Sequence, residues 1–234
     1  MRSIHDNLQA VRQRIDAAAK AAGRDPREVT LLAVSKTQPA AAVEEALAAG
    51  QRAFGENYVQ EALEKMDAVG RADARPEWHL IGPLQSNKTR LAAERFDWVQ
   101  SVADGRIARR LSAQRPQALA PLNVLIQVNA SGEATKSGVA PAEVAALARA
   151  IQALPRLRLR GLMAVPEPGA ERARYAELRS LYEKLKGPLR LDTLSVGMSD
   201  DLETAIAEGA TMVRIGTAIF GARAKVKPAA GLPA

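Results

Sequence analysis

Cysteine is absent from this sequence, which excludes disulfide stapling, thiol catalysis and thiolate metal sites. Two histidines, His5 and His79, leave almost nothing for a transition-metal centre. Three phenylalanines, three tyrosines and two tryptophans provide little surface for stacking bases, and the arginines are spread over many segments of helical pattern, so no nucleic-acid role is expected. No apolar run approaches the roughly 18 to 20 residues that a membrane helix needs. The first residues carry Arg2, His5 and Asp6 where a signal peptide would be apolar, so a soluble cytoplasmic protein is expected. Three nucleotide and hydrolase signatures are also missing. The turn Ser35-Lys36-Thr37-Gln38-Pro39 has none of the glycines of a dinucleotide fingerprint. Ala222-Arg223 stands where a phosphate loop beginning at Gly216 would need Lys-Ser/Thr. Gly197-Met198-Ser199-Asp200-Asp201 lacks the second glycine of a serine-hydrolase elbow.

What is present is ordinary globular composition over 234 residues, 47% hydrophobic and 25% charged, with a net charge of +7 that suits nucleic acid or a small anionic ligand. Ser3 and Asp6 form a capping pattern ahead of Ile4, Leu8, Val11 and Ile15, an amphipathic first helix. Eight short apolar runs then follow, at 30–34, 52–54, 78–81, 98–102, 123–128, 158–164, 193–196 and 212–215, each succeeded by helical pattern. Alternating strands and helices imply parallel pairing with right-handed crossovers, and eight units of this length suit a closed (β/α)8 TIM-type barrel. The expectation is therefore an α/β single-domain barrel over residues 1–222 with an extra N-terminal helix. An open doubly wound sheet is the alternative. The tail 223–234, without periodicity, is expected to be disordered.

In such a barrel the C-terminal ends of the strands carry the chemistry. Lys36 follows Leu31-Leu32-Ala33-Val34 almost at once, and only Lys88 and Lys136 among the other lysines also lie near strand ends. A partly buried lysine loses proton affinity by desolvation, and its amine can then attack a carbonyl; a salt-bridged lysine at a strand end is the competing explanation. The turns Gly197-Met198-Ser199 and Gly216-Thr217 follow the seventh and eighth strands, where these barrels commonly hold a phosphate, although either could be an ordinary turn. Arg214 interrupts the apolar eighth strand and, if inward, needs an acceptor. Asn57, Asn87 and Asn129 could add polar contacts at the same rim or merely serve as caps and turn residues. His79 fits a hydrogen-bonded core histidine better than a catalytic one. Glu56 and Glu133 are possible acid/base groups, with no pair visibly placed for that work.

These residues fall in segments that resemble pyridoxal phosphate homeostasis proteins of the YggS/PROSC type. The matching stretches include Ala33-Val34-Ser35-Lys36-Thr37, Phe54-Gly55-Glu56-Asn57-Tyr58-Val59-Gln60-Glu61, Trp78-His79-Leu80-Ile81-Gly82-Pro83-Leu84-Gln85-Ser86-Asn87-Lys88, Lys136-Ser137-Gly138, Gly161-Leu162-Met163-Ala164, Ser195-Val196-Gly197-Met198-Ser199 and Val213-Arg214-Ile215-Gly216-Thr217-Ala218-Ile219-Phe220-Gly221. They run in order from the first helix to Gly221. Val196 departs from the methionine usual in the family, at a position with no proposed ligand contact.

The resemblance implies a barrel similar to the N-terminal domain of alanine racemase, with pyridoxal 5′-phosphate bound as an aldimine on Lys36. It further implies phosphate contacts from Ser199, Gly216 and Thr217, and Arg214 facing the pyridine nitrogen; Asn57 is the sixth cofactor-binding candidate. A non-catalytic protein that stores this cofactor and delivers it to dependent apoenzymes is the expectation, as a cytoplasmic monomer without nucleic-acid or membrane partners. Two enzyme readings compete with it. A racemase similar to this barrel would carry a further β domain with a tyrosine base, whereas thirteen residues follow Gly221. A Schiff-base aldolase acting on a phosphorylated sugar would need the same lysine and phosphate site.

Overall fold

The computed structural model describes residues 3–69, 75–131, 137–167 and 169–221. The tail 223–234, Glu133 and Lys136 lie outside the described residues. The first helix, α1 (Ile4–Ala21), starts from a reciprocal cap in which Ser3 Oγ accepts from the Asp6 N–H and the Asp6 carboxylate accepts from the Ser3 N–H. Its Leu8, Val11, Ile15 and Ala19 are buried, one stripe at helical spacing.

Eight strands follow: β1 (Thr30–Val34), β2 (Ala53–Glu56), β3 (Glu77–Leu80), β4 (Trp98–Val102), β5 (Leu122–Gln127), β6 (Leu157–Met163), β7 (Thr193–Ser195) and β8 (Met212–Ile215). Helices α2 (Ala40–Ala48), α3 (Val59–Val69), α4 (Thr89–Arg95), α5 (Gly105–Gln114), α6 (Val144–Gln152), α7 (Arg172–Leu189), α8 (Leu202–Ala207) and α9 (Thr217–Phe220) come after them in alternation. Neighbouring strands pair in parallel and in chain order, and β8 returns to β1 with Leu32 opposite Arg214 and Ala33 opposite Ile215. That closure makes a (β/α)8 barrel and removes the open-sheet alternative. The main core lies between the strands and the helices, while the barrel interior holds two small apolar clusters, one around Leu32 and Met212 and one around Trp98 and Met163. Between them the interior is polar, because His79, Gln100, Ser195 and Arg214 are all buried.

Boundaries differ from the hydrophobic pattern where burial is bought with polar groups. Strand β2 runs on to Glu56, two residues beyond its apolar run, because the Glu56 carboxylate is met by buried Lys65. Helix α3 opens at Val59, two residues beyond Asn57. Helix α1 contributes more than a cover. Asn7 Nδ2 donates to Ile219 O at 2.8 Å, and Arg14 Nη2 donates to Ser199 O at 3.0 Å while its Nε meets Glu203. The extra helix thus braces the loops after β7 and β8. Among the described residues no helix is long and apolar enough to cross a membrane.

Candidate functional site

A cavity of about 290 Å³ opens at the C-terminal end of the barrel, lined among others by Lys36, Asn57, Ser199, Arg214, Gly216 and Thr217. Each of these six comes from a strand end or the turn that follows it, so residues from four separate strand-helix units meet there. Asn57 reaches the rim because the next connection passes against its backbone: a Cβ on Gly82 would sit 2.2 Å from Asn57 O, so only glycine permits this approach.

Lys36 lies, partly buried, in the turn after β1. The turn is held from beneath by a cluster of buried polar groups. Lys65 Nζ donates to Ser35 O at 2.6 Å, to Glu56 Oε1 at 2.8 Å and to Glu61 Oε1 at 2.7 Å. Ser35 Oγ donates to Glu56 Oε1 at 2.6 Å. Thr37, with its φ of 65° in the left-handed region that β-branched residues avoid, has its N–H anchored on Glu61 Oε1. Burial pushes the Glu56 carboxyl above its ordinary range, against the opposing pull of Lys65 and Ser35. Lys65 reads from sequence as an ordinary surface position of an amphipathic helix. Its spacing of four from Glu61 was visible, but the convergence of Ser35 and Glu56 on the same ammonium was not.

The turn after β7 is shaped by Gly197, at a φ of 101°, where a Cβ would lie 2.5 Å from that of Ala205. Asp201 then accepts from the Met198 N–H with one oxygen and from the Tyr175 hydroxyl with the other. Burial and the Asp201 carboxylate push the Tyr175 phenol up, so that it stays a donor. This geometry presents Ser199 to the cavity. Across from it, the first-turn N–H groups of Thr217 and Ala218 in α9 donate to no group among the described residues, as helix-start amides generally have no partner within the helix. Gly216 packs tightly on β1, a Cβ there falling 3.2 Å from Val34 O.

Arg214 is buried at the cavity floor. Its Nη1 donates to Ser195 O at 2.7 Å and Ser195 Oγ at 2.9 Å, and its Nη2 donates to Ala164 O at 2.8 Å. Three of the five guanidinium N–H groups are thereby used. Among the described residues no carboxylate forms an ion pair with it. Burial pulls its pKa down to about 10, which still leaves a cation at neutral pH.

The remaining candidates lie elsewhere. Lys88, Asn87 and Asn129 do not line the cavity; Asn129 Oδ1 instead accepts from Ser131. Glu56 is wholly buried behind β1, and His79 is enclosed within the barrel between Gln100 and Glu77. Sequence reasoning missed Lys65, Arg14 and Asn7, which act on the site through loops rather than by facing it.

A phosphorylated pyridine aldehyde needs an amine for its carbonyl, donors for a dianion and a partner for the ring nitrogen. Lys36 could supply the first, Ser199 with the α9 amides and the Thr217 hydroxyl the second, and the uncommitted N–H groups of Arg214 the third, so the donor set fits. The sequence profile of the alanine racemase N-terminal domain family matches residues 7–224. The pyridoxal phosphate homeostasis protein of Pseudomonas aeruginosa is 62% identical over 233 residues, covering 98% of this chain and all of its own length. PipY of Synechococcus elongatus, solved with PLP bound, superimposes with a TM-score of 0.81 at 38% identity, covering 94% of this chain and 100% of that one. An alanine racemase from Corynebacterium glutamicum shares the fold at a TM-score of 0.66 and 22% identity, and this chain accounts for 63% of its length.

Proposed function

The chain belongs to the pyridoxal phosphate homeostasis family, built on the alanine racemase N-terminal domain, and from that membership we propose that it is a pyridoxal 5′-phosphate binding protein that holds the cofactor and releases it to apoenzymes. The observation that carries the reading is the convergence of Lys36, Ser199, Thr217 and Arg214 on one cavity. When bound, the cofactor supplies an aldehyde that joins an amine and a ring that can draw electrons from it. Lys36 Nζ is the amine that would hold the aldehyde carbon, with the carbonyl oxygen leaving as water. Ser199, Gly216 and Thr217 receive the phosphate, and Asn57 closes the rim. Arg214 directs N–H donors at the ring nitrogen and, as a cation, opposes its protonation. A protein working this way sits in the cytoplasm beside the apoenzymes that it supplies. Absorption before and after borohydride, with mass spectrometry of the reduced protein, tests the covalent link to Lys36.

The phosphate assignment carries its own expectation. Ser199→Ala and Thr217→Val should each cost about 1.5 to 3 kcal/mol in pyridoxal phosphate binding, roughly tenfold or more in affinity, for one lost charge-assisted hydrogen bond. Pyridoxal without the phosphate should be nearly unaffected. Equal losses for both ligands, measured by fluorescence titration, would contradict the placement.

A racemase needs two bases and a ring nitrogen that accepts a proton. Besides Lys36 and Arg214, the titratable group lining the cavity among the described residues is Asp200, exposed at its mouth. The wild-type protein is therefore expected to exchange the α-proton of alanine in deuterium oxide no faster than free cofactor does. Turnover at ordinary enzyme rates, around 1 s⁻¹ or more, would overturn the binding-protein reading.

A further inference from the structure

Four buried or half-buried side chains continue inward from Arg214 and cross the barrel. Arg214 Nη1 meets Ser195 Oγ at 2.9 Å, Ser195 Oγ meets Gln100 Oε1 at 2.7 Å, Gln100 Nε2 meets His79 Nδ1 at 2.9 Å, and His79 Nε2 meets Glu77 Oε1 at 2.8 Å. Ser195, Gln100 and His79 are closed off from solvent, whereas the Glu77 side chain is 48% exposed.

With His79 neutral and Glu77 ionised, one arrangement of protons satisfies every contact. The Glu77 carboxylate can only accept, so a neutral His79 must carry its proton on Nε2. Its Nδ1 is then an acceptor, which obliges the Gln100 amide to turn its NH2 toward the ring; the second N–H of that group reaches Met212 Sδ at 3.1 Å. Gln100 Oε1 in turn accepts from the Ser195 hydroxyl, and the Ser195 oxygen is left to accept from Arg214. Reversing any link would set two acceptors or two donors face to face.

The polar groups therefore point one way, from a buried cation without an ion-pair partner among the described residues to a carboxylate on β3. We infer that Ser195, Gln100 and His79 are positioning residues for Arg214: the chain, anchored at its far end on Glu77, fixes the rotation of its guanidinium. Adjacent dipoles aligned in this way reinforce one another in a low-dielectric interior.

Neutral His79 is essential to the device, since a second ring proton would turn Nδ1 into a donor against Gln100. Enclosure disfavours the charged ring and lowers its pKa, with Arg160 acting in the same sense and Glu77 and Asp97 opposing. The ring also stacks on Trp98, 5.0 Å between centroids, and Arg160 lies over that indole on its own account.

The inference rests on the cofactor reading for its functional consequence but not for its geometry, so two measurements separate them. Nitrogen-15 NMR of the ring nitrogens, with only His5 as a second histidine, should show His79 as a single neutral tautomer protonated on Nε2, its titration displaced below the ordinary histidine range. A proton on Nδ1, or ordinary titration, would overturn the chain. In the second, Gln100→Leu should weaken pyridoxal phosphate about three- to tenfold, the loss expected of one positioning hydrogen bond. It should also move the visible band of the bound cofactor while leaving inorganic phosphate binding unchanged. Unchanged affinity and spectrum in a folded Gln100→Leu protein, or equal weakening of inorganic phosphate, would overturn the positioning role. If the wild type fails to bind pyridoxal phosphate at all, the functional reading falls, while the NMR result still judges the chain.

Discussion

Lys36→Ala is expected to eliminate the borohydride-reducible adduct with pyridoxal phosphate and the visible absorption that accompanies it. The argument is positional and chemical together. Among the described lysines, Lys36 alone lines the cavity with Arg214, Ser199 and Thr217. An amine in a turn braced from below needs little reorganisation to reach a carbonyl held beside it. The phosphate contacts proposed at Ser199 and the start of α9 do not depend on the amine, so weaker, non-covalent binding should survive, visible as quenching of intrinsic fluorescence. Peptide mapping of the reduced wild type should place the adduct on the Lys36 peptide. An adduct found exclusively on Lys88 or Lys136 would refute the assignment.

Lys65→Met should destabilise the fold by about 3 to 5 kcal/mol at neutral pH, because it removes one partner of a buried ion pair and leaves the other uncompensated. Glu56 is fully buried, and its second carboxylate oxygen, Oε2, already has no hydrogen-bond partner. After the substitution Oε1 would retain only the Ser35 hydroxyl. The pH dependence follows from the direction of the Glu56 shift. Its folded-state pKa lies above the unfolded value, so protonation favours the folded state and that benefit is lost as pH rises through the folded pKa. Without Lys65 the shift grows, so the deficit relative to wild type should be largest near neutrality and shrink on acidification. Urea denaturation across that range measures it. A deficit below about 1 kcal/mol, the scale of a surface ion pair, or one independent of pH, would show that the cluster does not behave as a buried charge pair. Because Lys65 also holds Ser35 O, the variant should form the Lys36 adduct more slowly even where it remains folded.

The turns at Ser199 and Gly216-Thr217 and the place of Lys36 on the cavity were legible in sequence because strand ends in a barrel of alternating units have only one face to meet on, and glycine, serine and lysine at those ends carry local signals. Arg214 was legible as an anomaly, a permanent cation within an apolar strand. Lys65, Gln100 and Arg14 were not. Each sits in a segment whose pattern is satisfied without it, and apart from Glu61, four residues from Lys65, their partners are 9 to 189 residues away along the chain.

The sequence by itself determined the class of fold and the rim on which the candidates gather, because period-2 and period-3.6 patterning together with turn residues are local properties of the chain. Tertiary structure decided between Lys36 and Lys88 for a place in the cavity, that Glu56 supports a loop from behind, and which way the polar interior points. Those outcomes depend on pairwise distances and on which hydrogen-bond donors meet which acceptors. Barrel closure sets both by bringing β8 against β1 and the side chains of β3, β4, β7 and β8 into one interior.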